Sequence, residues 1–318
     1  MIRPPTINAL FILAPSLLIW SPLASADDWV LIAESDAGCR LYIDGIDLVA
    51  EGCNVHIRNG EGYTEIGNQR GNLIVGYDEA DSDDHKTGSH NLVVGPRHSY
   101  SSVGGLVAGH NNEVSGSYAS VSAGYDNVAE GAASSISGGT RNRASSYGST
   151  VSGGISNDAG GSYSSVTGGI GNTASGVASL SSGGFRNEAT GYVSAIQGGR
   201  DGLSSGFASM ASGGRDNIAD GPYALVLGGE LNLSGGSYSV ALGGAENLSD
   251  GHYSAVIGGE ANEATGTHAL IMGGEDTESS ASRALIMGWN SALKNDEIPW
   301  NDSPVCKDLE SRFFCSEE

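Results

Sequence analysis

From Gly138 to Gly273 a Gly-Gly doublet returns at every fifteenth residue, its first member falling at 138, 153, 168, 183, 198, 213, 228, 243, 258 and 273. Gly288 continues the series, and Ala108-Gly109 and Ala123-Gly124 extend it backwards with Ala in the first place. Twelve unbroken steps of one length fix the class of architecture: each unit is one turn of a solenoid, stacked on the turns before and after it. Fifteen residues are too few for a helical hairpin, and the apolar residues have no helical spacing. They suffice for one lap of a thin parallel β-roll whose two sharp reversals exploit the positive φ that glycine tolerates.

Numbering places from the first Gly of each doublet gives the rest of the lap. Four places on stands Asn, at 112, 127, 142, 157, 172, 187, 217, 232, 247 and 262, with Gly202 and Thr277 as exceptions. Six places on stands Ala or Ser, as in Ala129, Ala144, Ala159 and Ala219, and eight places on stands Gly in most laps. Two places before the doublet come Ile136, Val151, Val166, Ile196, Val226, Val256, Ile271 and Ile286. This apolar row is the expected core, faced by the Ala row, and the Asn row is expected to hydrogen-bond from lap to lap as amide ladders do. At about 4.8 Å per step, twelve steps make a rod of roughly 58 Å. The expected fold is therefore all-β, a parallel β-roll solenoid with non-repeat caps at both ends.

The places one and three before the doublet point to the opposite side of the same strand. Early in the chain they hold hydroxyls: Ser135 and Ser137, Thr150 and Ser152, Ser165 and Thr167. From residue 225 they become Leu225 and Leu227, Val240 and Leu242, Ala255 and Ile257, Leu270 and Met272, Leu285 and Met287. An outward apolar stripe over five laps is more than a soluble monomer usually exposes, and it is expected to be a subunit interface. The alternative is a wider core closed by the tail around Ile298, Trp300, Phe313 and Phe314.

The phrase Ser239-Val240-Ala241-Leu242-Gly243 resembles the repeat in the heads of YadA-like trimeric autotransporter adhesins, and the likeness extends over about residues 90–290. That resemblance implies a left-handed coil, a homotrimer of side-by-side rods, and adhesion to a host-surface protein or glycan. The ending CKDLESRFFCSEE is acidic and too short for the barrel anchor of that family. Passages such as GNLIVGYDE and TGSHNLVVG look like the opening coils of secreted bacterial proteins built on the same repeat.

Residues 1–26 read as a signal peptide: Arg3 precedes an apolar run from Ala9 to Trp20, and Ala24-Ser25-Ala26 fits a small-x-small cleavage site. The run is short for a membrane span, so the processed chain is expected to be secreted or surface-associated with no integral membrane segment. Cleavage removes one Arg and no acid, taking the formal net charge from −22 to −23. So acidic a surface argues against nucleic acid as a partner. Export also suits disulfides, and the four cysteines fall in two close pairs, Cys39 with Cys53 and Cys306 with Cys315. Pairing within each couple is the simplest of three connectivities and ties down each end. Residues 27–75, off the period and rich in Asp-Gly, Glu-Gly and Asn-Gly punctuation, read as an N-terminal β cap, and 290–318 as a C-terminal one. Between them lie opening coils at 76–107 and the regular repeats at 108–289.

Four features bear on chemistry. The loop YDEADSDDHKTGSH in the opening coils brings together Asp78, Glu79, Asp81, Asp83 and Asp84, oxygen donors of the kind calcium prefers, but without the spacing of an EF-hand. A solvated acidic loop is the plainer reading. Gly202-Leu203-Ser204-Ser205-Gly206 matches the nucleophile pattern of serine hydrolases, yet Ser204 stands on the small-residue row and is expected to be structural. The seven histidines are scattered and a rod packed with Val, Ile and Ala leaves no cavity for a reaction, so no catalysis and no cofactor are expected. Tyr118, Tyr163, Tyr223, Tyr238 and Tyr253 share one place and either stack on sugars or shield the start of the strand. A monomeric ice- or glycan-binding solenoid is the alternative to the trimeric rod.

Overall fold

The computed structural model describes residues 29–34, 38–82 and 84–288, with strand segments 292–293, 304–308 and 313–317. The expected signal peptide lies outside these residues. Strand and turn account for all of them, without a helix. They form two units, Met1–His56 and Ile57–Glu318.

The first unit is an antiparallel meander of β1 (Trp29–Glu34), β2 (Arg40–Asp44) and β3 (Asp47–Glu51). Asp44 pairs with Asp47 across a two-residue turn in which Gly45 takes φ 58°, the positive angle such a hairpin needs at its first central residue. The expected Cys39–Cys53 disulfide is present, with the Cα atoms 4.9 Å apart.

The second unit is the parallel solenoid, of about 14 turns. Each lap gives one short strand to each of two ladders, joined by a third line of single bridges at the place two after the doublet. The first ladder begins at Leu73–Val75 and runs through Leu92–Val94 and Leu106–Ala108 to Ala284–Met287. The second runs from Ser99–Tyr100 to Ala292–Leu293. The first ladder opens with Leu73 on Leu92, so its first strand falls inside the segment 27–75 read as a cap, because the 19-residue step that follows hides the period.

From Ser120 onward the ladders step by 15 except where Gly168 pairs with Ser182 and Glu278 with Ala292, and before Ser120 the first ladder steps differently. Leu92 pairs with Leu106 and Leu106 with Ser120, steps of 14 rather than 15. Val107, not Leu106, is therefore the fully buried rung beneath Val121. On the second ladder Glu113 already pairs with Val128, a step of 15, so the extra residue enters at the corner Ser122-Ala123-Gly124.

Four rows line the interior instead of the two expected. The apolar row two places before the doublet and the Ala/Ser row six places after it are buried, at 2% exposure or less. The Asn row is equally buried. Each rung works in three directions: Asn142 Oδ1 accepts the Asn157 N–H at 3.1 Å, its own N–H donates to Asn127 Oδ1 at 3.0 Å, and its Nδ2 donates to the Gly138 and Gly154 carbonyls at 3.1 and 3.0 Å. These amides satisfy corner carbonyls that the strand ladders do not reach. The fourth row, four places before the doublet, runs Ser134, Ser149, Ser164, Ser179, Ser194, Ser209, Ala224, Ser239, Ser254 and Ala269. Four of these serines, 149, 209, 239 and 254, turn back on their own corner, as where Ser209 Oγ donates to the Gly206 carbonyl at 2.9 Å, whereas the buried hydroxyls of Ser134, Ser179 and Ser194 have no hydrogen-bond partner.

At the corner before this row, residues other than Gly adopt left-handed φ, among them Tyr223, Tyr238 and Tyr253 at 57–60°. The strain, of order 1 kcal/mol each, is offset by lap-to-lap hydrogen bonds such as Tyr238 N–H to the Pro222 carbonyl at 2.9 Å. Beyond the last lap, Pro304–Asp308 and Phe313–Glu317 form an antiparallel hairpin whose second strand pairs with Ala284–Met287. It covers backbone groups that an open sheet edge leaves unpaired. Cys306 and Cys315 stand opposite each other in this hairpin; their side chains lie outside the described residues, as do Ile298 and Trp300.

Candidate functional site

A side chain on the first-ladder strand alternates in and out, so the rows on either side of the buried Val/Ile row must face outward. They do. Leu227, Ile257, Met272 and Met287 are 38–45% exposed, and Leu225, Val240, Leu242, Leu270 and Leu285 are half-buried. Parallel pairing brings them into columns: Leu225 on Val240 on Ala255 on Leu270 on Leu285, and Leu227 on Leu242 on Ile257 on Met272 on Met287. All nine candidate interface residues thus share one outward face. The inner column is apolar earlier than the sequence reading placed it, through Leu180, Ala195 and Met210. From Ser120 to Ser165 the same column carries hydroxyls that bond from lap to lap, Ser120 to Ser135 and Thr150 to Ser165, each at 3.1 Å, and before Ser120 it holds Leu73, Leu92 and Leu106.

Two places from this column, at the left-handed corner, runs an aromatic ribbon. Tyr223, Tyr238, Tyr253 and His268 stack in sequence with centroids 4.7–4.9 Å apart and planes within 5–9°. Phe207 joins edge-on to Tyr223 at 5.3 Å, and Tyr192 stacks on Phe207 at 5.5 Å. Tyr192 and Phe207 belong to the ribbon although each sits one place earlier in its lap than the tyrosines. A shared place was too strict a criterion, because rings reach across one residue of offset. Each ring from Tyr223 to His268 covers its neighbours' faces, so this part of the row presents ring edges and the phenol oxygens of the tyrosines. Tyr163 pairs only with Tyr147, and Tyr118 donates to Glu65 Oε1 at 3.3 Å.

The acidic loop is organised by cations of the protein itself. Lys86 Nζ lies 2.7 Å from Asp78 Oδ1 and donates to the carbonyls of Asp78 and Glu79 at 2.6 and 2.8 Å. Tyr100 donates to Asp78 Oδ2 at 3.1 Å. Burial, reinforced by that carboxylate, pushes the Tyr100 phenol up to about 12. Asp81 faces Arg97 at 3.7 Å, and Asp84 accepts the Asp81 N–H at 2.8 Å. Asp83 lies outside the described residues. No three His, Cys, Asp or Glu among the described residues converge as a metal would require.

Ser204 is fully buried and shares a hydrogen bond of 2.7 Å with Ser209 Oγ. Ser234 with Ser239 and Ser249 with Ser254 repeat the pair at 2.6 and 2.7 Å, which makes it a feature of the packing. Two pairs of histidines come near each other: His252 and His268 flank Tyr253, and His98 lies within electrostatic reach of His110.

Set against known proteins, the chain matches no family model, and no curated protein sequence matches it significantly.

Proposed function

We propose that this chain is an exported, non-catalytic rod that associates side by side with copies of itself, as a homotrimer, and serves surface recognition or adhesion as an extracellular scaffold. The observation that carries the reading is the pair of outward apolar columns from Leu225 to Met287, in register over five laps. Such a surface costs free energy in water at about 25 cal/mol per Å² left exposed. A second copy offers an equally straight column, which makes the contact self-complementary. The likeness to trimeric adhesin heads supports the same geometry. An interior filled by four rows of small side chains supports a role without a reaction centre.

Sedimentation of the processed chain tests this. A trimer is expected at micromolar concentration, and Leu242→Asp with Leu270→Asp should release monomers. A wild-type chain that sediments as a monomer under those conditions ends the interface reading. One observation favours a second reading, a monomeric solenoid that binds ice or glycan: the hydroxyl columns of the earlier laps are regular and bonded rung to rung. Thermal hysteresis in a monomeric sample would support it.

A further inference from the structure

The aromatic ribbon and the inner apolar column occupy the same laps. The ribbon runs from Tyr192 to His268, and the column beside it is apolar from Ala195 through Met210, Leu225, Val240 and Ala255 to Leu270. Between ring and apolar side chain stands one buried residue in the laps of Tyr223, Tyr238, Tyr253 and His268, such as Ser239 between Tyr238 and Val240, and two residues in the laps of Tyr192 and Phe207. The two rows are therefore the walls of a groove with a backbone floor, running lengthwise for five steps or roughly 24 Å.

Charge selects the occupant. Within the groove's laps Arg200 and Arg215 are paired with Asp201, Asp216 and Glu230, and from residue 217 to residue 282 the sequence has no Lys or Arg, while Asp220, Glu230, Glu246, Asp250, Glu260, Glu263, Glu275, Asp276 and Glu278 all fall there. Asp220 and Asp250 stand just before the glycine that opens the corner carrying the ring of that lap. The walls are flat, apolar and regular, which suits an elongated rigid molecule better than a flexible chain that loses entropy on being straightened. We propose that this groove binds elongated, planar organic cations lengthwise along the rod, with Tyr223, Tyr238 and Tyr253 as one wall and Leu225, Val240 and Leu270 as the other.

The site lies on a single chain, and because Leu225, Val240 and Leu270 also belong to the interface proposed above, ligand and self-association compete for this wall, so binding is read on a monomeric variant as well as on the full chain. Thioflavin T, a planar cation of suitable length, is the probe. Titration into the full chain should give a saturable fluorescence rise that weakens in high salt. Tyr238→Ala should reduce the affinity about fivefold, the worth of one aromatic contact, whereas Tyr163→Ala, outside the ribbon, should leave it unchanged. The double variant Leu227→Asp with Leu242→Asp alters only the outer column, so it separates the groove from assembly: a monomeric variant that keeps the dye supports the groove. An absent or non-saturable response, a response indifferent to Tyr238→Ala, or loss of the dye in a folded outer-column variant would each overturn the proposal.

Discussion

The backbone N–H of Asn112 donates to Nδ1 of His98 at 3.1 Å, just as the N–H of Asn127 donates to Oδ1 of Asn112 at 2.8 Å. His98 is thus the bottom rung of the asparagine ladder. The other ring nitrogen completes the mimicry: Nε2 donates to the carbonyl four residues back, Val94, at 3.1 Å, where Asn112 Nδ2 reaches Ala108 at 2.8 Å.

Only the neutral imidazole can accept at Nδ1, and burial is the main cause holding His98 below its ordinary value of 6.5. The folded state then binds the proton less readily than the unfolded one. Its contribution to stability is present above about pH 6.5 and is lost as the pH falls below it. Thermal unfolding followed from pH 8 to pH 5 should show the opening laps weakening first. His98→Asn should keep the rung and flatten that pH dependence.

Gly202 breaks the ladder. Its N–H donates to Asn187 Oδ1 at 3.0 Å, but it has no side chain to offer Asn217. A Cβ built there comes no nearer than 3.2 Å to Asn187 Oδ1, and φ needs no glycine. Gly202→Asn should stabilise the rod by about 1–2 kcal/mol, from one or two new hydrogen bonds and a stiffer unfolded chain. Chemical denaturation reads it. The reverse change, Asn157→Ala, orphans buried backbone groups on two laps and should cost about 2–4 kcal/mol.

Three glycines separate conformation from space. At Gly184 a Cβ would fall on Asn187 Nδ2 and the Gly199 carbonyl, with φ +85° besides. At Gly183 φ is +76° but nothing lies within 4 Å, and at Gly160 φ is ordinary and the nearest atom is 3.7 Å away. Alanine should therefore cost more than about 3 kcal/mol at 184 and about 1–2 at 183, and be neutral to slightly stabilising at 160. Melting temperatures in that order are the check.

The Cys39–Cys53 bond closes a sequence separation of 14 within the meander, far from the repeats in the chain. Reduction should weaken that unit by about 3 kcal/mol. Hydrogen exchange with and without reductant should show faster exchange in β1 to β3 and unchanged protection around Asn142 and Asn232.

The repeat made much of this readable in advance. Any place that carries one residue type through a dozen laps declares its environment, which is why the Val/Ile core, the Asn ladder and the outward Leu/Met columns are legible in the sequence alone. The Ser134–Ser254 row escaped because serine in a glycine-rich chain resembles surface; only part of the row bonds to its own corner, and no periodicity reveals that bond. The slip at Val107 escaped because Ala108-Gly109 looks like every later doublet, although the extra residue sits beside it at Ser122-Ala123. The aromatic ribbon was half-seen, since ring stacking obeys distance rather than place.

One consequence of the in-register laps concerns length. Every amide in the Asn142 rung finds its partners in its own lap or an adjacent one, so the molecule holds no long-distance agreement about how many laps there should be. Duplicating or excising a whole unit from the middle would leave each survivor's surroundings unaltered, and extent becomes adjustable in increments of about 4.8 Å. Selection can tune such a protein's reach as one shortens or extends a ladder, without redesigning a rung.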